Sequence, residues 1–383
     1  GLTTFPHMQV MTYAEIAAAL PAEKRDRKLE ILAEALVKAQ AIKEPGFRLA
    51  SIAKVGEALL DAGEKERGKK LLLENAESAK KLNKAGYDAF LRGMYAEELA
   101  QVDLETALAM VKEINDYGEK TRHLGNIAHE LAAIDPAQAE RVLESMPPPP
   151  ADSRVIWSKD SDAVKVCYRM AKVDLPRAVK IAGGCADPFH KAHAHGAIAV
   201  AIANSDARQA ADYMRLAFES LDEAAHPGRE LPVSAGNFGN VGGWLVWQAQ
   251  QIDPELGAEM LWRLLAVLPE EPNADPQKTW RDTEGLSSAA MFLSLMDESL
   301  ARTLLTRLER SQNLAYSRTW LPAWGLVDPE KAFEKASAPA DQANPGGRRA
   351  QLIGAMAATG EQRLKTIHYN AGLWRIDVED LDQ

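Results

Sequence analysis

Apolar residues recur along this chain at spacings of three, four and seven, which is the period of an amphipathic helix. The clearest stretch carries Leu29, Leu32, Leu36, Val37 and Ile42. No segment shows the alternation that a half-buried strand requires, so the predicted fold class is all-α. Further helices predicted outside the repeats described next cover residues 12–20, 49–60, 66–81 and 348–358.

A second pattern is superimposed on the helical one. An aspartate recurs seven times, with an alanine or, once, a glycine four residues after it. Small residues also stand three and ten residues before most of these aspartates, and positions seven apart share one face of a helix. The seven aspartates are Asp103, Asp135, Asp174, Asp206, Asp253, Asp297 and Asp328.

Each aspartate is predicted to cap the N-terminus of a second helix by accepting backbone N–H bonds, a contribution of about 1 kcal/mol per cap. Proline follows directly in Asp135-Pro136, Asp253-Pro254 and Asp328-Pro329, where its fixed φ suits the first helical position. Alternatively, the seven carboxylates line a binding surface or a metal path. The prolines and the alanine register favour capping.

These features predict a right-handed superhelical array of antiparallel helical hairpins, an α-solenoid, with a closed α/α toroid as the alternative. We expect one continuous array. Residues 1–87 should form N-terminal helices and an atypical capping hairpin, and residues 88–337 the seven Asp-capped hairpins. Residues 338–383 should form a C-terminal capping helix and an acidic tail.

The spacing between successive aspartates varies from 31 to 47 residues. The turn inside each hairpin is short, so the extra length falls between hairpins, and all such connections emerge on one edge, the loop-bearing edge. Arg and Trp are frequent interface anchors. The interpretation that these loops only cover helix ends remains open. The predicted inter-hairpin loops are 147–160, 225–237, 269–283 and 338–348, and their candidate partner-binding residues are Arg154, Trp157, His226, Arg229, Trp280 and Arg281.

The formal charge of −10 and a pI near 5.4 argue against nucleic acid as a partner. Residues 22–84 carry 15 basic and 11 acidic side chains, a local charge of +4 that we assign to a solvated helical face. No apolar run is long enough to span a membrane, so a soluble protein is expected. The first residue is not methionine, which is consistent with a segment of a larger polypeptide.

One cluster of residue types invites a metal-site interpretation: Cys185 with His190, His193 and His195. However, residues 191–206 align without a gap on residues 120–135, which indicates an ordinary repeat helix. The two cysteines, Cys167 and Cys185, give no disulfide framework, although one pair could form. We therefore expect no metal and no cofactor.

The most glycine-rich stretch, residues 234–243, invites a phosphate-loop interpretation. It lacks both the G-x-G-x-x-G and the Walker spacing, and no strand precedes it. Entry of a loop into a helix is the favoured interpretation.

The chain resembles the broad class of TPR, HEAT and armadillo helical-hairpin repeat proteins over residues 45–360. The small-residue columns are spaced differently from those of TPR repeats, and the Val-Arg pair typical of HEAT repeats does not follow the aspartates. The resemblance implies a surface that holds a protein or peptide partner.

Two functions are therefore considered. The first is a non-catalytic interaction scaffold that binds a partner through its concave face and long loops. The second is a toroidal enzyme, a carbohydrate-acting hydrolase or lyase with a central acidic and aromatic site. The motifs G-x-S-x-G, H-E-x-x-H and C-x-x-C are absent from the sequence, which favours the scaffold.

Overall fold

A computed structural model describes residues 5–150, 158–225, 238–267, 276–309 and 320–336. Within these ranges the chain is all-α, with eighteen α-helices, one 3₁₀ turn at Ala22–Lys24 and no strand. The α-helices are α1 (Pro6–Ala19), α2 (Arg25–Gln40), α3 (Pro45–Asp61), α4 (Lys65–Lys80), α5 (Gly86–Leu99), α6 (Leu104–Lys112), α7 (Tyr117–Leu131), α8 (Pro136–Glu144), α9 (Lys159–Ala171), α10 (Leu175–Gly183), α11 (Pro188–Ile202), α12 (Ala207–Ala225), α13 (Phe238–Ile252), α14 (Pro254–Val267), α15 (Pro276–Leu293), α16 (Glu298–Leu308), α17 (Trp320–Val327) and α18 (Pro329–Ala336).

The helices form two compact units, Gly1–Lys159 and Asp160–Gln383. In the N-terminal unit α1 packs on α3, α3 on α5 and α5 on α7; in the C-terminal unit α11 packs on α13, α13 on α15 and α15 on α17. Consecutive helices such as α3 and α4 also pack as hairpins. Packing between neighbours along the chain is consistent with a helical repeat. The predicted boundaries at 87/88 and 337/338 stay predictions.

The capping prediction is confirmed for all seven aspartates. Each side chain accepts a backbone N–H bond from the first turn of the following helix, at 2.9–3.1 Å. Six bond the residue three positions on, and Asp253 bonds Glu255, two positions on. The residue four positions after each aspartate is buried in every copy. The aspartate therefore fixes where the second helix begins, and the small residue lets that helix lie close to the first.

The glycines ten residues before the aspartates serve contacts between hairpins. A Cβ added at Gly93 in α5 would overlap the His123 ring in α7. One added at Gly243 in α13 would lie 2.9 Å from the Ala289 Cα in α15. This column therefore lets successive first helices approach each other.

The α3–α4 hairpin follows the same plan with one extra residue. Gly63, at φ +82°, ends α3, and the backbone N–H of Gly68 bonds the Glu64 carbonyl as the small residue bonds the aspartate elsewhere. A Cβ on Gly68 would lie 2.7 Å from the Gly56 carbonyl oxygen. Glu64 makes no capping bond. The predicted atypical hairpin is thus a repeat shifted by one residue.

No described helix has both the length and the apolar character that crossing a bilayer requires.

Candidate functional site

Six rings form a continuous row in the N-terminal unit, which we name the aromatic ladder. Neighbouring ring centroids lie 4.2–6.0 Å apart, and the row runs from the N-terminal turns of α1 and α3 across α5 to the second turn of α7. Contacts of this length are typical of interacting aromatic pairs. In order, the rings belong to Phe5, His7, Phe47, Tyr87, Phe90 and His123.

Local sequence places the rings of α1 and α3 at helix starts. Pro6 and Pro45 occupy the first positions of α1 and α3. The Glu44 carboxylate caps α3 by accepting the backbone N–H groups of Gly46 and Phe47, at 3.1 and 2.6 Å. The Phe47 ring is therefore held in the first turn of its helix, where it stacks on His7 at 4.2 Å and 18°.

Part of the ladder faces solvent. Phe5 is 68% exposed and Tyr87 58% exposed, and Met8 on α1 is 52% exposed. The rings of His7, Phe47 and Phe90 are half-buried. Scattered exposed apolar residues need no explanation, but here the exposed rings of Phe5 and Tyr87 are linked through the half-buried rings of His7 and Phe47, which makes the row a candidate binding surface.

The last ring of the ladder is held by polar contacts. His123 is buried, and its Nδ1 donates to the Glu97 carboxylate at 2.5 Å. The Asn126 amide donates to the same oxygen at 2.8 Å. The Arg122 guanidinium lies 4.6 Å from the centroid of the Phe90 ring, a cation–π contact. These bonds fix the His123 end of the ladder.

Five charged residues on α3, α5 and α7 make up a second group, the carboxylate–lysine cluster: Lys54, Glu57, Asp61, Glu98 and Glu130. Lys54 Nζ pairs with the Glu57 carboxylate and lies 3.8 Å from Glu98 Oε1. Burial lowers the pKa of Lys54, but the nearby carboxylates outweigh this and the pKa is raised.

Three carboxylates of this cluster, those of Glu57, Asp61 and Glu98, have raised pKa values. Burial raises the pKa of Glu98 well above its ordinary value, and Glu57 raises it further, while Lys54 opposes the shift. Burial likewise raises the pKa of Glu57 and of Asp61. Ionisation of these three carboxyl groups is therefore less favourable in the folded unit than in the unfolded chain.

The partner-binding role predicted for the loop residues stays a prediction. Arg154, Trp157, His226 and Arg229 lie outside the described residues, as do most of the loops that carry them. The loop predicted over 269–283 ends too late, because α15 begins at Pro276 and contains Trp280 and Arg281. Pro276 suits the first position of a helix, and this is the reason that the helix starts earlier than predicted.

The histidine and cysteine candidates are engaged in separate contacts. His190 Nδ1 donates to the Asp187 carboxylate at 2.6 Å, and the His193 ring contacts Trp244 edge-on at 5.1 Å. Cys185 Sγ lies 3.7 Å from the Ile181 carbonyl oxygen. Burial lowers the pKa of His195 to about 4, and Lys191 adds to this. Among the described residues no three His, Cys, Asp or Glu side chains are grouped as metal ligands.

The described part of the glycine-rich stretch is helical. A Cβ on Gly239 in α13 would overlap the Gly285 backbone in α15, and Gly243 and Ala289 meet one turn further along. These small residues let the two helix backbones approach closely. Helix packing therefore explains Gly239 and Gly243 without a phosphate.

Tryptophans at helical spacing are usually core residues. Trp244 and Trp324 follow this rule, because both are fully buried, whereas Trp262 on α14 is 73% exposed and does not follow it.

Comparison with known proteins adds little. No family model matches the chain, and no curated protein matches it. A crystal structure of an engineered protein from the Northeast Structural Genomics Consortium aligns with 100% of this chain and 97% of its own at 16% identity. Its TM-score of 0.30 is too low to indicate a shared fold.

Proposed function

We propose that this protein is a non-catalytic interaction scaffold that binds a protein or peptide partner through the aromatic ladder. The observation that carries the proposal is the row of touching, partly exposed rings across four helices. Burying an aromatic ring supplies much of the affinity at protein interfaces.

The position of the ladder supports this proposal. Phe5, His7, Phe47 and Tyr87 lie at the N-terminal ends of α1, α3 and α5, the ends at which connections between hairpins are predicted to enter the first helices. Partner-binding residues on rigid helices are well preorganised, because ordering them costs little entropy. We further propose that the hairpins stack as an open, right-handed α-solenoid of the TPR or HEAT kind.

Selection from a random peptide library tests the proposal. We expect enriched peptides whose binding is lost when Phe5 and Tyr87 are both changed to alanine. Both side chains are exposed, so circular dichroism should show unchanged helicity. The matched control changes Val37 and Ile134, which are 67% and 69% exposed and lie outside the ladder. Failure to enrich any peptide, or binding that survives the ladder substitutions, would refute the proposal.

One observation favours the enzyme alternative. Carboxylates with raised pKa values, such as Glu57 and Glu98, can act as general acids in glycoside cleavage. Lys54 pairs with both, which reduces their freedom to act. Solution scattering separates the shapes: a closed toroid of this length should have a radius of gyration of roughly 21 Å and an open array a larger one. A compact particle that cleaves glycans, with loss of activity in Glu98→Gln, would replace the scaffold proposal.

A further inference from the structure

We propose that Cys167 and Cys185 of the C-terminal unit form a redox-responsive pair, which closes to a disulfide when a low-molecular-weight disulfide oxidises the protein. This inference goes beyond the proposed function, because it concerns the unit that does not carry the aromatic ladder. The two residues are the only cysteines of the chain, and both are buried thiols in the structure. The proposal depends on where the two sulphur atoms lie and on how the turn that carries Cys185 is held.

Both sulphur atoms lie on the last turn of α10. The Cys167 thiol, on α9, donates to the Ala178 carbonyl at 3.4 Å. The Cys185 thiol, just after α10, donates to the Ile181 carbonyl at 3.7 Å. These two carbonyls are three residues apart, a rise of about 4.5 Å along the helix. Ala182 contacts both cysteines, because its backbone hydrogen-bonds the Cys167 sulphur and its carbonyl accepts the Cys185 N–H at 3.2 Å. The two thiols therefore share one backbone turn, which is the proximity that a disulfide requires.

The turn that carries Cys185 is held against α9. The Asp160 carboxylate, in the first turn of α9, accepts the backbone N–H groups of Ala186 and Asp187 at 2.8 and 2.9 Å. Asp160 and Cys167 are seven residues apart, so they lie on one face of α9. The Cys185 turn therefore rests on the face of α9 that carries Cys167, and the two thiols stay close while they are reduced.

The two thiols differ in accessibility. Cys167 is completely buried, whereas Cys185 keeps 8% of its surface exposed at a turn. Burial raises the pKa of the Cys167 thiol well above its ordinary value, and a charge on Cys185 would raise it further. A buried thiol with a raised pKa reacts slowly. Cys185 is therefore the thiol that meets the oxidant, and Cys167 is the thiol that reacts second.

The exchange consumes one small disulfide for each protein disulfide formed. The Cys185 thiol loses its proton to water, and its sulphur attacks the small disulfide, whose S–S bond breaks and releases one small thiol. The Cys167 thiol then loses its proton to water, and its sulphur attacks Sγ of Cys185, which releases the second small thiol. Two protein thiols are thus oxidised, and the small disulfide is reduced to two thiols.

The new bond would stabilise the start of α11. Asp187, in the turn that carries Cys185, caps α11 by accepting the Phe189 N–H at 3.1 Å. A bond from Cys185 to α9 fixes this turn covalently and joins positions that are 18 apart in the chain. Such a link restricts the unfolded chain, so the oxidised unit should be more stable than the reduced one.

Oxidation with bis(2-hydroxyethyl) disulfide, followed by intact-mass spectrometry, tests the inference. The folded protein is incubated with this reagent, and the remaining thiols are then alkylated in denaturant. We expect a monomer that has lost two hydrogen atoms and carries neither adduct nor alkyl group. Its Tm, followed by tryptophan fluorescence, should lie several degrees above that of the reduced protein, and dithiothreitol should reverse the shift.

Two variants serve as matched controls, each compared with its own reduced form. Cys167→Ala should stop at a mercaptoethanol adduct on Cys185 and show no rise in Tm. Cys185→Ala should keep Cys167 unmodified while the protein is folded. Circular dichroism checks that both variants are helical, and the wild-type result alone decides if a variant does not fold.

Three wild-type results would overturn the inference. Two alkylated thiols would show that neither cysteine meets the oxidant in the folded protein. An adduct that persists on Cys185 would show that the Cys167 sulphur does not reach it. A disulfide-linked dimer would assign the reactive thiol to contacts between chains. Peptide binding by the ladder is measured separately, so its failure would leave this result unaffected.

Discussion

Two repeats, one from each unit, use the same position in opposite ways. Eleven residues before the capping aspartate, a repeat of the N-terminal unit has Arg92 and a repeat of the C-terminal unit has His195, and both are buried. The Arg92 guanidinium donates to the carbonyls of Met110, Lys80 and Leu82 and pairs with Glu113. His195 is neutral at pH 7, and its Nδ1 has no partner among the described residues.

Aromatic residues also differ between the units in their arrangement. The C-terminal unit buries Trp244 and Phe292 completely, closes α13 against α15 through glycines, and exposes Trp262 on α14 and Phe333 on α18. The N-terminal unit leaves Phe5 and Tyr87 exposed in the aromatic ladder. The residues at the repeat positions thus determine how the helix backbones are arranged. The side chains between those positions determine whether the edge of a helical hairpin is buried or exposed. The N-terminal unit, which exposes a row of rings and holds its buried Arg92 by hydrogen bonds, is therefore the better candidate for binding a partner.

The largest expected effect is at Arg92. Arg92→Met leaves buried carbonyls at the ends of α4 and α6 without their donor, and we expect a loss of about 3–5 kcal/mol in unfolding free energy. Chemical denaturation followed by circular dichroism measures it. Arg141, about half exposed and paired with Glu105, is the control, and Arg141→Met should cost under about 1 kcal/mol. Equal losses of unfolding free energy in Arg92→Met and Arg141→Met would show that the buried hydrogen bonds of Arg92 do not stabilise the fold.

The second largest effect is expected at the glycine contact between α13 and α15 in the C-terminal unit. Gly239→Ala should cost about 3 kcal/mol, because its Cβ has no room against the Gly285 backbone. Gly183→Ala, where nothing lies within 4 Å, should be neutral or slightly stabilising. Tryptophan fluorescence follows this unit, since seven of the eight tryptophans fall within it. Unchanged unfolding of the Gly239 variant would contradict the close packing of α13 and α15.

His195 should make stability depend on pH. Its pKa of about 4 lies below the ordinary 6.5, so the folded state binds this proton less readily than the unfolded state. Its contribution is present above pH 6.5 and is lost as the pH falls toward 4, by about 3 kcal/mol. His195→Leu should match the wild type at pH 7.5 and exceed it at pH 4.5. A constant difference across that range would rule out a neutral buried imidazole.

The smallest effect is expected in the carboxylate–lysine cluster. Glu98 has a raised pKa, so its favourable contribution is present at low pH and disappears as the pH rises. Glu98→Gln mimics the protonated form and should raise the Tm by a few degrees at pH 8, with a gain that shrinks toward pH 4. Glu77→Gln, at a fully exposed site, is the control. A lower Tm for Glu98→Gln at pH 8 would contradict the repulsion inferred here.

Much of the local structure could be predicted because its causes lie within about ten residues. The Asp174 cap needs only the N–H of Arg177, and the burial of Ala178 follows from its register. The one-residue shift at Gly63 hid the α3–α4 repeat, although Gly68 in the small-residue position could have revealed it.

The aromatic ladder was not predicted, because Phe47 and Tyr87 are 40 positions apart and no short-range pattern links them. The signal that could have found it was the recurrence of rings in the first turns after Pro6, Pro45 and Gly86.

By itself the sequence determined that this protein is all-α, where its second helices begin and which small residues face a neighbouring helix. These features depend on capping, helical periodicity and side-chain size, which act locally. Only the tertiary structure decided that the rings from Phe5 to His123 touch, that Lys54 lies among carboxylates and that Arg92 is satisfied where His195 is not. Such contacts depend on how separate helices pack, and repeat spacing does not encode the distances between their side chains.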